Sequence, residues 1–293
     1  MGFTIKELET LSGIKAHTIR IWEQRYQFLK PSRTSTNIRT YSNEELKTLL
    51  TVALLNKYGY KISKIDGMQN EQRNKELLRL PDVEARTEHL VNELIGCMVD
   101  MEIERFELLL QQYIVQYGLV DTITSLLFRF LDKTGILWQT GRINPAHEHI
   151  VTNIIRQKLV ASIEGLPQPH RKQPMLLLLL PEGAYHELGL LFVYYLLKQK
   201  GLPVLYLGAN VPLKDADYVL QVKKPEYVYI HLTSIPGKIN LQKFITTLGN
   251  NHASTTILLS GAVADSMKVN TAQNVEVLQS LHSVIAYISK LEQ

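Results

Sequence analysis

The chain has 293 residues, of which 45% are hydrophobic and 20% are charged, a balance typical of soluble globular proteins and unlike that of disordered chains. A single cysteine, Cys97, excludes an internal disulfide and fits a reducing cytoplasm, and the longest apolar run, 175–180, is too short to cross a membrane. The net charge of +4 lies in residues 1–72, which carry 11 Lys/Arg and 7 Asp/Glu, whereas the rest of the chain carries 21 of each.

Residues 1–72 are predicted to form a winged helix-turn-helix. Capping-box patterns, Thr4 with Glu7 and Ser42 with Glu45, mark the starts of two helices, and Gly13 supplies a tight turn after the first. The polar stretch 32–42 breaks helical periodicity, as a two-stranded wing would. The predicted helices cover 5–12, 16–26, about 43–55 and about 63–68.

A linker and a helical bundle are predicted next. Residues 71–81 are polar and end in Pro81, which favours a linker. From 82 to 165 apolar residues recur at helical spacing, which predicts a bundle of four amphipathic helices. These apolar residues are Leu90, Leu94 and Met98; Phe106, Leu109, Leu110 and Tyr113; Ile123, Leu126, Leu127 and Phe130; and Ile150, Ile154, Ile155 and Leu159.

After a second linker, 165–174, short apolar strands alternate with helices. Strands are predicted near 175–180, 203–207, 226–231, 255–259 and 274–278. Helices are predicted near 187–200, 212–223, 238–250, 264–270 and 280–291. Residues 172–293 therefore predict a Rossmann-like, doubly wound sheet of five parallel strands. The predicted fold class is multidomain, α and α/β.

The segment between Thr10 and Tyr41 holds six basic residues and one acid, Glu23. Arginines on a helix that follows a tight turn read guanine edges, and basic residues on a wing reach phosphates. Trp22 is predicted to be mostly core. The alternative is a solvated surface with surplus basic residues. The candidate DNA contacts are His17, Thr18, Arg20, Arg25, Tyr26, Arg33, Arg39 and Tyr41.

Four spaced segments in this region resemble the MerR family of transcriptional regulators. They are F-T-I-K-E-L at 3–8, I-R-I-W-E-Q-R-Y at 19–26, L-K-P-S-R at 29–33 and R-T-Y-S at 39–42. The resemblance covers roughly 2–70. It implies a homodimer bound to double-stranded, pseudo-palindromic operator DNA that the protein distorts, with a tetramer as a further possibility.

His186 is the most informative residue of the last segment. It lies just past the first predicted strand, at the start of a helix, where open parallel sheets bind ligands. A histidine there could be a metal ligand, a catalytic base or a helix cap. Gly189 follows it in an H-x-x-G pattern, and the second strand runs into GLPVLYLGANVP at 201–212.

Together these features resemble the cobalamin-binding domain of methionine synthase, corrinoid proteins and some MerR regulators. In that family the histidine is the lower cobalt ligand, a role that would fall on His186, and the nucleotide tail of the cofactor threads into the sheet. The family's S-x-L after the third strand and paired glycine after the fourth correspond here to HLTSIPG at 231–237 and SGAVA at 260–264. The family's acid two residues before the histidine is Ala184 here, and Ala262 follows Gly261. The implied cofactor contacts of this segment are His186, Gly189, Thr233 or Ser234, and Gly261.

The bundle carries a further match. Trp138, Glu148 and His149 form a W-x9-E-H pattern in which the tryptophan ends one predicted helix and the other two residues begin the next. This resembles light-sensing MerR regulators that bind adenosylcobalamin, in which these residues cover the upper face of the cofactor. The position after Trp138 is Gln139, where light-sensing members can carry a histidine. The alternative is a buried tryptophan beside surface polar groups.

The expected function is a cytoplasmic, non-enzymatic DNA-binding regulator with no membrane segment. Cobalamin bound between bundle and sheet would change its oligomeric state and DNA affinity, with repression the expected direction. The first alternative is a cofactor-free regulator whose C-terminal half serves oligomerisation or partner binding. The second is a corrinoid methyl carrier, against which stand the DNA-binding features of the first 70 residues.

Overall fold

The computed structural model describes residues 2–139, 143–170, 172–234, 240–263 and 273–291. The chain divides into two compact units, Met1–Ile154 and Ile155–Gln293. The first is a helical unit with a small hairpin, and the second is a sheet unit.

Nine helices and two short strands of the helical unit can be named in the described part of the chain, the last helix running on into the sheet unit. They are α1 Ile5–Ser12, α2 Ala16–Arg25, β1 Ser32–Arg33, β2 Arg39–Thr40, α3 Asn43–Lys57, α4 Ile62–Asp66, α5 Asn70–Leu78, α6 Val83–Asp100, α7 Ile103–Asp121, α8 Phe128–Gln139 and α9 Pro145–Glu164, with a π-helical segment Thr122–Leu127 between α7 and α8.

The winged helix-turn-helix forms as its local signals predict. Capping boxes at Thr4 and at Ser42 begin α1 and α3. Gly13 ends α1 in the left-handed region at φ 73°, which favours glycine. β1 and β2 pair antiparallel as the wing, and the strand-like bridge between Phe3 and Tyr41 ties the chain start to the wing's end.

The predicted linker at 71–81 is wrong, because most of this segment is helix α5. Leu77 is fully buried, and Arg73 is buried with its Nε donating to the carbonyl oxygen of Ile65 at 3.1 Å. The Arg73 guanidinium also lies over the Phe28 ring, 5.9 Å from the centroid. Two buried side chains at i and i+4 anchor a helix that its polar composition concealed.

Helices α6, α7 and α8 pack around the apolar residues that the spacing predicted. Leu94, Met98, Phe106, Leu110 and Phe130 are all at most 1% exposed. By length and composition Ile103–Trp138 could cross a membrane. Its backbone is interrupted at Gly118, however, and some of its apolar side chains, including Phe106 and Phe130, belong to the core of this unit.

The sheet unit is doubly wound, as predicted. Its strands are β3 Leu176–Pro181, β4 Val204–Val211, β5 Tyr227–His231, β6 Thr256–Ser260 and β7 Val275–Leu278, all parallel and in the order β4-β3-β5-β6-β7. Its helices after α9 are α10 Leu188–Gln199, α11 Leu213–Lys223, α12 Leu241–Asn251 and α13 Leu281–Lys290. Every residue of β3 is buried, as expected for a strand covered on both faces. The helix predicted at 264–270 lies outside the described residues.

The order of the strands places a crevice beside His186. From β3 the chain crosses to β4 on one side and then returns to β5 on the other, so the loops after β3 and β5 diverge. Helices α11 and α12 cover one face, against a core that includes Leu177, Val228 and Ile257. Helix α10 lies on the other face, which carries the alternate residues of β5.

Candidate functional site

The second helix presents a polar, basic face. Ile19 and Trp22 are buried and hold α2 against the core, as predicted for the tryptophan. His17, Arg20 and Arg25 are exposed, and Thr18 beside them is half-buried. The arrangement leaves two guanidinium groups on one helix free to face an acidic ligand such as duplex DNA.

The wing carries a third exposed guanidinium group, that of Arg33. Arg33 stands on β1 and is exposed, and its Nη1 donates to the Asn37 side chain at 2.8 Å. Asn37 lies at φ 63° in the turn of the wing, a conformation that asparagine tolerates. The hydrogen bond therefore orients Arg33 along the wing while leaving most of its donors available.

Arg39 and Tyr41 do not belong to this exposed set. The Arg39 Nε donates to both carboxylate oxygens of Glu23, at 2.8 and 3.1 Å, and this hydrogen bond raises the Arg39 pKa. Tyr41 is fully buried, and its hydroxyl donates to Glu23 at 3.3 Å. Burial, followed by the Glu23 charge, raises the pKa of Tyr41. The prediction that Tyr41 contacts DNA is therefore wrong for this conformation, since a core side chain has no surface to offer. Arg39 serves to tie the wing to α2.

Tyr26 occupies an intermediate position. It is the C-cap residue directly after α2, and its ring stacks on Phe28 with centroids 5.9 Å apart. Its side chain is half-buried. Sequence reasoning missed Phe28, which also packs edge-on against Trp22.

In the sheet unit, His186 lies in the loop between β3 and α10 and is exposed. Within the described part of the chain its ring forms no hydrogen bond. Asn210 holds this loop in place with two hydrogen bonds. Its side-chain oxygen accepts from the Gly183 backbone amide at 2.8 Å, and its backbone amide donates to the Ala184 carbonyl oxygen at 3.0 Å. An unengaged imidazole on a braced loop is suited to binding a metal ion.

Glu187, next to His186, is held on both sides, and sequence reasoning missed it. Its Oε1 accepts from the Arg156 Nε at 2.6 Å, and its Oε2 accepts from the Tyr206 hydroxyl at 2.9 Å. Burial, followed by the Glu187 charge, raises the pKa of Tyr206. Arg156 and Tyr206 together hold Glu187, the N-cap residue of α10, and so fix the backbone that carries His186.

Gly189, in the first turn of α10, lies against the ring of His231 from β5. A Cβ built on Gly189 would stand 2.3 Å from the His231 Nε2, which is closer than any real contact. The Nδ1 of the same ring lies 2.8 Å from Ser260 Oγ, which also bonds the Tyr229 hydroxyl at 2.5 Å. Burial lowers the pKa of His231 to about 4. The buried side chains of Tyr229 and Ser260 and the half-buried ring of His231 form a hydrogen-bonded cluster, named here the Tyr229–His231–Ser260 cluster.

The other residues expected after β5 and β6 lie differently. Thr233 and Ser234 are exposed and lie just beyond the end of β5. Gly261 has φ 93°, and a Cβ there would stand 2.3 Å from the Leu232 carbonyl oxygen. This close approach of two backbones explains the requirement for glycine at 261.

The residues predicted in the helical unit lie where two helices end and begin. Trp138 is 54% exposed one residue before α8 ends, and Glu148 and His149 lie in the first turn of α9. Glu148 Oε1 accepts from Thr152 at 2.9 Å, and its Oε2 lies 3.2 Å from His149 Nδ1. A large exposed aromatic ring is unusual in a core helix and provides a flat apolar surface for a ligand.

No group of three or more His, Cys, Asp or Glu side chains converges as a metal site within the described residues. A metal ion at His186 would therefore have to bring its other ligands with it. A corrinoid would do so, because its macrocycle would supply most of the ligands of its metal and the imidazole of His186 would supply one more. The exposed His186 ring fits that role.

Comparison with known families matches two segments. The MerR HTH family regulatory protein family matches residues 3–72, the winged helix-turn-helix. The B12 binding domain family matches residues 90–161, which span most of α6 through α9.

Two relatives and one solved structure are similar over most of their length. The HTH-type transcriptional repressor CarA of Myxococcus xanthus is 30% identical over 214 residues, which are 72% of this chain and 70% of CarA. The HTH-type transcriptional repressor CarH of Myxococcus xanthus is 24% identical over 246 residues, 81% of each chain. The monomethylamine corrinoid protein of Methanosarcina barkeri has a TM-score of 0.56 at 12% identity, covers 70% of this chain and 99% of its own, and shares the fold.

Proposed function

Because this chain belongs to the MerR-type family of HTH transcriptional repressors that includes CarA, we propose that it binds operator DNA and represses transcription. A bound cobalamin is proposed to change its affinity for the operator. The chain is a DNA-binding transcriptional regulator with a B12-binding domain. The observation that carries the proposal is the pairing of an exposed basic helix face with an unengaged His186 at the crevice of a doubly wound sheet.

The DNA contacts are proposed to come from α2 and the wing. Arg20 and Arg25 read bases, since both are exposed on the helix that follows the tight turn. Arg33 contacts phosphate from the wing, and His17 and Thr18 assist at the start of α2. Tyr26 offers its hydroxyl to phosphate, while Arg39 contributes through the position of the wing.

Substitution separates base contacts from phosphate contacts. Arg20→Ala or Arg25→Ala should weaken operator binding by about 1–3 kcal/mol and relax sequence preference. Arg33→Ala should weaken binding to every sequence and reduce the salt slope by about one. Arg79→Ala, an exposed arginine just after α5, is the matched control. Loss of affinity in the control equal to that in the two α2 variants would contradict the assignment.

The cofactor is proposed to be a cobalamin, with adenosylcobalamin the form favoured. His186 would supply the imidazole nitrogen that binds the cobalt, and Glu187, held by Arg156 and Tyr206, orients the backbone at this position. When bound, the cofactor would supply a cobalt ion that an imidazole of the protein can bind. Gly189 and Gly261 are proposed to shape the crevice by letting neighbouring segments pack closely on them, and Thr233 or Ser234 is proposed to contact the cofactor.

A visible absorption spectrum tests this directly. The wild-type protein mixed with a cobalamin should give the spectrum of a corrinoid whose lower ligand is an imidazole of the protein. His186→Ala should lose that spectrum and bind more weakly, while its far-UV circular dichroism stays unchanged because the residue is exposed. His17→Ala, an exposed histidine of the other unit, should bind the cofactor as the wild type does. Equal spectra for wild type and His186→Ala would overturn the ligand assignment.

Trp138, Glu148 and His149 are proposed to contact the cofactor as well. Trp138→Ala should weaken binding of adenosylcobalamin more than that of hydroxocobalamin, because a flat ring stacks on an adenosyl group. Equal losses for both forms would remove the tryptophan from the adenosyl contact.

The regulator is proposed to act as at least a dimer on DNA, with a tetramer as the further state, in the cytoplasm and without enzymatic activity. Two-fold half-sites require two chains, so light scattering of the DNA complex should report two or more chains for each operator. If no cobalamin changes its absorption spectrum in the presence of the protein, the cofactor-free alternative takes the place of this proposal and the C-terminal half serves assembly.

A further inference from the structure

The space between α10 and β5 is closed by a side chain of the protein itself. We propose that this chain binds its corrinoid without inserting the cofactor's nucleotide tail beneath α10, and that it therefore accepts corrinoids that lack the tail. The inference rests on the proposed binding of a corrinoid at His186.

The first observation is the contact between Gly189 and His231. The ring lies so close to the first turn of α10 that a Cβ on Gly189 would stand 2.3 Å from Nε2, 2.4 Å from Cδ2 and 2.9 Å from Cε1. Three ring atoms within 3 Å of one methyl position mean that not even a methyl group fits there. A benzimidazole nucleotide is far larger, so it cannot enter along this path while the ring is in place.

The second observation is that the ring is fastened. His231 and Ser260 are register partners on β5 and β6, and their side chains bond at 2.8 Å. Tyr229, two residues earlier on the same face of β5, is 2% exposed and donates or accepts at the same Ser260 oxygen. Swinging His231 out would leave one hydroxyl hydrogen of the buried Tyr229–Ser260 pair without its acceptor, which is unfavourable.

The third observation is that the neighbouring path is closed by backbone. The turn after β6 approaches the chain after β5 so closely that a Cβ on Gly261 would stand 2.3 Å from the Leu232 carbonyl oxygen. The Leu232 amide and carbonyl also bond the Ser260 carbonyl at 2.8 Å and the Val263 amide at 3.1 Å. These hydrogen bonds hold the ends of β5 and β6 together at the described edge of the crevice.

Among the described residues at this edge, His186 in the loop after β3 is exposed. A corrinoid with a tail must first release its own benzimidazole from cobalt before His186 can bind. If the released tail finds no pocket, no binding free energy offsets the cost of that release. A corrinoid without the tail has no such competing ligand. The geometry therefore predicts that the tailless form binds at least as tightly as the tailed form.

The experiment compares two defined probes, hydroxocobalamin and diaquocobinamide, the second of which lacks the nucleotide. Their dissociation constants for the full chain are measured by visible absorption titration, in the wild type and in His231→Ser. The variant removes the ring but keeps a hydroxyl group near Ser260. A third protein, His186→Ala, shows whether both probes use the same ligand, since both should then lose affinity.

The wild type should bind cobinamide as tightly as cobalamin to within about threefold, or more tightly. His231→Ser should shift the ratio of the two constants at least fivefold in favour of cobalamin, because the slot under α10 is opened. A wild type that prefers cobalamin by tenfold or more would overturn the inference and leave the proposed function standing. An unchanged ratio in a folded His231→Ser would overturn the role given to the ring. Failure of both probes to bind the wild type would overturn the proposed function and this inference together.

Discussion

Lowering the pH should destabilise the sheet unit through His231. Burial lowers the pKa of His231 to about 4 from an ordinary value of 6.5. Between these values the unfolded chain binds a proton that the folded chain rejects, so this contribution to stability is fully present above about pH 7 and is lost as the pH falls towards 4. The linkage relation gives a loss of about 2 kcal/mol at pH 5 and about 3 kcal/mol at its limit.

The assay compares the wild type with His231→Asn. Asparagine keeps a polar group beside Ser260 but does not titrate in this range. The free energy of unfolding is measured by urea denaturation at pH 7.5 and pH 5.0, followed by far-UV circular dichroism. The wild type should lose about 2 kcal/mol more than the variant between the two pH values, since only its His231 takes up a proton on unfolding.

The two tryptophans provide an internal control. Trp22 and Trp138 both belong to the helical unit, so tryptophan fluorescence follows that unit in the same samples. The free energy of unfolding obtained from tryptophan fluorescence should depend on pH in the same way in the wild type and in His231→Asn. His252, which pairs with Asp217 at 2.8 Å in the sheet unit, is present in both proteins and cancels in the comparison. Equal pH dependence of the circular dichroism transitions in the two proteins would refute the reasoning.

Three further substitutions test the packing. Glu23→Gln should lower the free energy of unfolding by about 1–2 kcal/mol in urea denaturation and should steepen the salt dependence of DNA binding, because it releases Arg39; an unchanged stability would contradict this. Leu77→Ala should cost about 3 kcal/mol, since the side chain is fully buried, whereas a linker residue would cost nothing. Gly261→Ala should lower the free energy of unfolding by at least about 2 kcal/mol, because its Cβ clashes with a backbone oxygen. The control Gly13→Ala should lower it by about 1 kcal/mol, because φ is also positive there but no atom lies within 4 Å. Equal losses in the two variants would disprove the clash.

The elements that follow from local signals were predictable from the sequence. The capping boxes at Thr4 and Ser42 join residues three positions apart, and the wing pairs residues six to eight positions apart. The turn at Gly13 depends on that glycine alone. The strand and helix pattern of 172–293 likewise determines a doubly wound sheet, because parallel strands need crossover helices and a fixed hand. The position of His186 past the first strand follows from the same pattern.

Composition misled where burial was involved. The segment 71–81 is polar, yet α5 forms there because Arg73 and Leu77 are buried against residues from elsewhere in the helical unit. Residue type alone predicts that an arginine is exposed to solvent. Only the tertiary structure shows whether its guanidinium group is already bound by another side chain. Arg39 is engaged by Glu23, sixteen positions earlier, and Tyr41 is enclosed by the core.

The ligand crevice shows the same division. The sequence by itself determined that a histidine and two glycines lie at the carboxyl edge of a parallel sheet, since each is set by its own strand or helix. Only the tertiary structure decided what those glycines face. Gly189 meets His231 from forty-two positions further along, and Gly261 meets the backbone of Leu232. Such contacts depend on how close helix and strand approach in space, a distance that residue spacing along the chain does not contain.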